Sequence, residues 1–139
     1  MMHQGIQSGF PHMVIRNNGC YFLTLLKWLE MKDGMSFNNE QIIHIFNVVA
    51  SAMFIDRPNA FVRHPVEIVN FALGRRKYTR LIRDISARPN ELCIVALTRP
   101  QDNGTHFILQ EANGTTWDSL NPARPAAATW RPSSYRLLV

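Results

Sequence analysis

The sequence predicts an α+β fold, in which N-terminal helices pack on a C-terminal antiparallel sheet within one domain spanning residues 1–139. Up to Gly74 the apolar residues recur at helical spacing, whereas after it short apolar runs alternate with turn residues. Helices followed by strands are typical of α+β proteins and not of βαβ alternation. The 46% hydrophobic and 18% charged residues indicate a globular chain and argue against disorder.

The chain is predicted to begin with an irregular lead-in over residues 1–12 and a short extended segment over 13–15. The first helix runs from Cys20 to about Met31, and Asp33-Gly34 ends it. Its apolar positions fall at i, i+3, i+4 and i+7, as in an amphipathic helix. These positions are Phe22, Leu25, Leu26 and Leu29.

Two further helices are predicted before the sheet. Asn38 or Ser36 is a suitable N-cap for the second helix, whose apolar spacing continues to about Phe54. The third helix begins at Pro65 and stops at Gly74, because proline is favoured in the first turn and glycine directly after the last.

The second half of the chain predicts strands separated by turns. Leu92–Leu97 is a continuous apolar run and therefore a central strand. Asn113-Gly114 is a strong hairpin signal, and residues 122–132 form a connection rich in proline and alanine. The other predicted strands are Tyr78–Ile85, His106–Gln110, Thr115–Trp117 and Tyr135–Val139.

Three residues are candidates for a nucleophilic catalytic site. Cys20 opens the first helix directly after Gly19, where free backbone N–H groups and the helix dipole favour a thiolate. His106 begins a strand, and Asp118 follows the return of the Asn113-Gly114 hairpin. A carboxylate on the neighbouring strand can orient an imidazole, which in turn can activate a thiol. The pattern predicts a Cys-His-Asp triad that hydrolyses an amide bond through an acyl-thioester.

Such a reaction also needs a hydrogen-bond donor for the developing oxyanion. The backbone N–H of Cys20 and the side-chain amide of Asn17 or Asn18 are candidates. Each triad residue also has a structural interpretation, because cysteines are often small core residues and a strand histidine is usually structural. Asp118 can serve as a turn former. Cys93, inside an apolar strand, is expected to be structural, and Trp117 is a candidate to shield the contact between His106 and Asp118 from water.

Three segments together resemble the papain-like cysteine peptidase clan. They are Gly19-Cys20-Tyr21-Phe22, Thr105-His106-Phe107-Ile108 and Trp117-Asp118-Ser119-Leu120-Asn121-Pro122. The pattern is most similar to that of the bacteriocin-processing, double-glycine-type peptidases. The Gly-Cys-Tyr-Phe-Leu start also resembles small phage- and plasmid-encoded proteins of spirochaetes.

This resemblance implies a papain-like fold with Cys20 as nucleophile, His106 as base and acid, and Asp118 as the orienting carboxylate. The clan usually carries an oxyanion-hole glutamine six residues before the cysteine, where this chain has Val14. Asn17 is therefore the expected substitute. The missing glutamine leaves open a catalytically inactive binding module as an alternative.

Partners and location follow from the remaining features. A peptide or peptidoglycan-like amide is the expected substrate, and no metal-ligand spacing or glycine-rich phosphate loop indicates a cofactor. The net charge of +5 is moderate, so nucleic acid is not the expected partner, although the basic segment Arg75–Arg83 allows it. A solvated edge strand is the preferred interpretation of that segment. Without a signal peptide or membrane span, a cytoplasmic location is expected.

Overall fold

A computed structural model describes residues 1–120 and 130–139, and these residues form four helices and a five-stranded antiparallel sheet. The predicted α+β class is confirmed. The helices are α1 (Met13–Asn18), α2 (Cys20–Asp33), α3 (Asn39–Ser51) and α4 (Pro65–Leu73). The strands are β1 (Leu81–Ile85), β2 (Cys93–Thr98), β3 (Thr105–Gln110), β4 (Thr116–Trp117) and β5 (Arg131–Leu138), in the order β1-β5-β2-β3-β4.

Helix α2 lies at the centre of the molecule and packs against β3 and α4. Every residue from Phe22 to Glu30 is buried, so the helix is enclosed on all sides, although its spacing predicts only one apolar face. Its polar side is closed by a buried pair in which Lys27 Nζ lies 3.1 Å from Glu30 Oε1. Glu30 also accepts the backbone N–H groups of Met2 and Phe37. The irregular lead-in therefore covers the side of α2 that solvent would otherwise reach.

The extended segment predicted over residues 13–15 is wrong, because these residues open the short helix α1. His12 provides the cap, since its Nδ1 accepts the N–H of Ile15 at 3.4 Å. Only Ile15 of α1 is buried. A single buried apolar residue gives no periodicity, so the sequence pattern does not distinguish a helical turn from a strand. The sequence Val14-Ile15 has the β-branched character of a strand but no strand partner.

Gly19 joins α1 to α2 at a position where no side chain would fit. Its N–H donates to the carbonyl of Ile15 at 2.8 Å, and a Cβ atom at this position would lie 2.5 Å from the same oxygen. The constraint is one of contact and not of backbone angle, because φ is −85°. The close approach of α1 to α2 thus sets where Cys20, the next residue, begins its helix.

The remaining helices begin and end much as predicted. Asn38, and not Ser36, caps α3 through a capping box with Gln41, and the helix stops at Ser51, before the expected end near Phe54. Pro65 begins α4, and Gly74 ends it with a φ of 84° in the left-handed region.

Two strand boundaries differ from the prediction. The strand expected from Tyr78 begins only at Leu81, because Asn70 Oδ1 accepts the Tyr78 N–H at 3.0 Å and Asn70 Nδ2 donates to its carbonyl at 2.8 Å. At the C-terminus β5 begins at Arg131, and Pro132 sits beside an irregularity in the pairing with β2, where its missing N–H is tolerated. The rest of the predicted connection, residues 122–129, lies outside the described residues.

The basic segment Arg75–Arg83 leads into β1, which is an edge strand, as the solvated-edge interpretation predicts. Its charges are partly paired with acidic residues of the helices. Arg76 lies 3.4 Å from Glu67, and Lys77 pairs with Asp33.

We expect Gly19→Ala to destabilise the fold by about 1–3 kcal/mol, because the new methyl group must displace the Ile15 backbone. We also expect it to slow the modification of Cys20 by iodoacetamide, since the start of α2 has to shift. Chemical denaturation and mass spectrometry measure the two effects.

Gly34→Ala is the matched control. Gly34 has open space around its Cβ position but a φ of 70°, so alanine there costs only backbone strain of about 1–2 kcal/mol. This variant should lose stability while Cys20 keeps its reactivity. An unchanged Cys20 rate in Gly19→Ala would contradict the positioning role.

Candidate active site

Cys20 is the first residue of α2 and is half-buried. Gly19 supplies no side-chain cap, so the first turn of the helix presents its backbone N–H groups beside the sulfur. The hydroxyl of Thr24 lies 2.7 Å from the carbonyl of Cys20 and 3.2 Å from that of Phe107. This buried contact ties the cysteine turn directly to β3.

His106 lies near the start of β3 and is 4% exposed. Its Nε2 is 2.7 Å from Asp118 Oδ1, and Cys20 lies close enough to help raise the pKa of the imidazole. Because Nε2 is engaged by the carboxylate, Nδ1 is the nitrogen left to exchange a proton with the sulfur. The structure thus brings together the three side chains that the sequence singled out.

Asp118 follows β4 directly. Trp117 pairs with Leu109 in the sheet, so Asp118 reaches diagonally across to His106, two residues beyond the position opposite. Its Oδ1 also accepts the N–H of Leu120 at 2.9 Å. Asp118 can therefore stabilise the turn and orient His106 at the same time, since its Oδ1 contacts both the Leu120 N–H and the imidazole.

The lead-in holds the Asp118 backbone in place, which sequence reasoning did not anticipate. The carbonyl of Asp118 accepts the N–H of Gly5 at 2.9 Å, and its N–H points to Gln4 Oε1 at 3.3 Å. One residue later, the hydroxyl of Ser119 donates to Gln7 Oε1 at 2.6 Å. Isolated glutamines in an irregular segment carry no sequence signal for such contacts.

Electrostatics favour a protonated His106. Burial would lower the pKa of the imidazole, but the hydrogen bonds to Asp118 and Cys20 and the charges of both partners outweigh it and raise that pKa to about 9. An imidazolium at neutral pH is the partner that a thiolate needs, since it balances the negative charge on sulfur.

Cys93 is the contrasting thiol. It is fully buried in β2, and burial raises the pKa of its thiol. A thiol in such surroundings is a poor nucleophile. The prediction that Cys93 is a core residue is confirmed.

The indole that contacts His106 is Trp130, whereas the sequence suggested Trp117. The rings of Trp130 and His106 meet edge to face, with centroids 5.7 Å apart and an angle of 89°. Trp117 is buried instead under the ammonium of Lys27, whose Nζ lies 5.7 Å from the ring centroid. Trp130 follows a long connection in the sequence, so no local pattern relates it to the histidine.

A groove of about 770 Å³ opens beside Cys20. Asn17 and Asn18, at the end of α1, are exposed and line it together with Cys20. Val14 lies inside α1, and the buried Gln7 is committed to structure, because its Nε2 donates to the carbonyl of Arg16 at 3.1 Å. Asn17 therefore remains an available amide donor, next to the N–H of Cys20.

Among the side chains that the structure describes in residues 1–120 and 130–139, no three His, Cys, Asp or Glu groups converge as a metal site would require. None of the helices described has the length and apolar character needed to cross a bilayer.

The site and fold together define an α+β protein in which an imidazole is hydrogen-bonded to a carboxylate and lies near a thiol, at the junction of α2 and the sheet. A family model described as "Protein of unknown function, DUF261" matches residues 7–138, and the chain belongs to this family. No curated protein and no solved structure matched the chain.

We expect the free energy of unfolding to fall as the pH rises from 6.5 to about 9. The pKa of His106 is about 9 in the folded protein and 6.5 ordinarily, so the folded state keeps a proton that the unfolded chain loses in this interval. The contribution is complete below pH 6.5, amounts to about 3 kcal/mol, and is lost as the pH passes 9. Urea denaturation at several pH values measures it.

His106→Gln is the control, because glutamine keeps a hydrogen-bonding side chain but does not titrate. Its stability should depend much less on pH over the same interval. If the variant shows the same slope as the parent protein, His106 is not the group responsible.

Proposed function

We propose that this protein is a cysteine peptidase or amidase that hydrolyses an amide bond through an acyl-thioester. Cys20 is the nucleophile, His106 the general base and acid, and Asp118 the orienting carboxylate. One observation carries the proposal: a single buried imidazole is hydrogen-bonded to a carboxylate from the end of the hairpin and lies close enough to the thiol that opens α2 for Cys20 to raise its pKa. These are the contacts that an activated thiol requires.

In the acylation step, the Cys20 sulfur attacks the carbonyl carbon of the amide, and the carbonyl oxygen becomes an oxyanion. His106, protonated at neutral pH, then donates its proton to the amide nitrogen. The C–N bond breaks, the amine leaves, and the acyl group remains on sulfur as a thioester. Asp118 holds the ring by accepting from Nε2 throughout, which keeps Nδ1 directed at the reacting atoms.

In the deacylation step, the now neutral His106 takes a proton from water, and the resulting hydroxide attacks the thioester carbonyl. The C–S bond breaks, the acid product leaves, and the thiolate and imidazolium are restored. Edge-on contact with Trp130 and burial limit solvent access to the imidazole, so that the protons pass between reactants and not to bulk water.

The oxyanion is stabilised by the backbone N–H of Cys20 and by the side-chain amide of Asn17. Both belong to the α1–α2 junction, and both line the same groove. A helix N-terminus is a favourable place for developing negative charge. One such donor typically contributes about 3 kcal/mol to the barrier.

The arrangement also supports a papain-like fold, because the cysteine opens a central helix and the histidine lies on an antiparallel sheet packed against it. A peptide or peptidoglycan-like amide is the corresponding substrate class. The groove of about 770 Å³ beside Cys20 is the space in which such a substrate would bind.

We expect iodoacetamide to modify Cys20 at neutral pH, and His106→Ala to slow this reaction about tenfold or more, because the thiolate loses its cationic partner. Asp118→Asn should slow it less, since the ring stays but is no longer held by a charge. Whole-protein mass spectrometry followed by peptide mapping measures the rate at each cysteine.

His44→Ala is the matched control, because His44 lies exposed on α3 and does not line the Cys20 groove. It should leave the Cys20 rate unchanged. Equal Cys20 rates in the parent protein and in His106→Ala, or modification of Cys93 at least as fast as that of Cys20, would overturn the proposed function.

A further inference from the structure

The groove beside Cys20 is lined by arginines. Arg63, Arg83 and Arg136 face it from three different parts of the chain. Among the described residues that line the groove there is no aspartate or glutamate. A groove with one sign of charge attracts ligands of the opposite sign and orients them.

Arg136, on β5, lines the same groove as Cys20 and is held by several contacts. Its guanidinium lies 5.0 Å from the ring centroid of Phe107 and 5.4 Å from that of Tyr21. The two rings stack on each other at 3.9 Å. Nη1 of Arg136 donates to the Tyr21 hydroxyl at 3.2 Å, and Nε donates to Ser134 at 3.1 Å. Tyr21 directly follows Cys20, so this guanidinium has a fixed position relative to the sulfur.

Arg136 also keeps donors for a ligand. A guanidinium has five N–H groups, and the hydrogen bonds to Tyr21 and Ser134 use two of them. Among the carboxylate side chains that the structure describes, none forms a salt bridge with Arg136. A planar fork of this kind matches the two oxygens of a carboxylate.

The other two arginines differ in how much charge they offer. Arg63 is neutralised, because its Nη2 lies 2.8 Å from Asp56 Oδ2 and its Nε is bound by the same carboxylate. Arg83 is exposed on the edge strand β1, and none of the carboxylate side chains that the structure describes forms a salt bridge with it. Arg136 and Arg83 therefore supply the net positive charge of the groove.

We infer that the substrate carries a carboxylate close to the scissile amide and that Arg136, assisted by Arg83, binds it. This inference rests on the proposed function and adds the substrate class to it. Two sources of the carboxylate share this chemistry: an acidic side chain and the free α-carboxylate of a chain end.

The test uses three electrophiles of nearly equal size that all alkylate Cys20, forming a C–S bond as iodide leaves. They are iodoacetyl-glutamine amide, iodoacetyl-glutamic acid α-amide and iodoacetyl-glutamine with a free α-carboxylate. The first is neutral, the second has an acidic side chain and the third has a terminal carboxylate. Rates at Cys20, divided by rates with free glutathione, are measured by mass spectrometry.

At least one acidic probe should modify Cys20 about tenfold faster than the neutral probe, which corresponds to one charge-assisted contact. The faster of the two identifies the source of the carboxylate. Arg136→Gln should remove most of the preference, and Arg83→Gln part of it. Arg83 is exposed, so its variant keeps the inference testable even if Arg136→Gln folds poorly.

Arg80→Gln is the matched control, because it removes the same charge from an exposed position that does not line the groove. It should leave the preference unchanged. Equal rates with all three probes would overturn the substrate inference while leaving a reactive Cys20 intact. If His106→Ala leaves the neutral probe's rate unchanged, the proposed function fails instead, so the two failures are distinguishable.

Discussion

The buried hydrogen bond between His106 Nε2 and Asp118 Oδ1 is the interaction on which the arrangement of the site depends. It joins β3 to the residue after β4, and it directs the other ring nitrogen toward α2. A buried hydrogen bond of this kind is costly to break, because each side chain would then be buried without its main partner. The hairpin end and the start of the cysteine helix are therefore held in one geometry, and the raised pKa of His106 reflects it.

Much of this arrangement could be predicted from the sequence. Features that depend on neighbouring residues alone were predicted correctly. Gly34 and Gly74 end α2 and α4, Asn38 caps α3, and the apolar run around Cys93 is a central strand. The proximity of Cys20, His106 and Asp118 also followed from local reasoning, because each stands at the end of an element where the chain turns.

What could not be predicted depends on contacts between distant segments. α1 has the composition of a strand, and only its cap at His12 and its close contact with Gly19 make it helical. The lead-in contains ordinary residues, yet Gly5 and Gln7 hold Asp118 and Ser119 through bonds that span more than 110 positions. Trp130 likewise contacts His106 from a separate segment of the chain, through its aromatic ring. Such pairings carry no periodicity, since they arise from the topology of the whole chain.

The position of β5 has a consequence for synthesis on the ribosome. β5 lies between β1 and β2, and β1 pairs with β5 alone within the described sheet. The hairpin of β2 and β3 and the short β4 are local in sequence and can pair soon after they emerge from the exit tunnel. β1, although translated earlier, has no neighbour until residues 131–138 appear. Arg83 within β1 and Arg80 just before it disfavour pairing of this unpaired edge with other nascent chains, as charged edges do in many sheets.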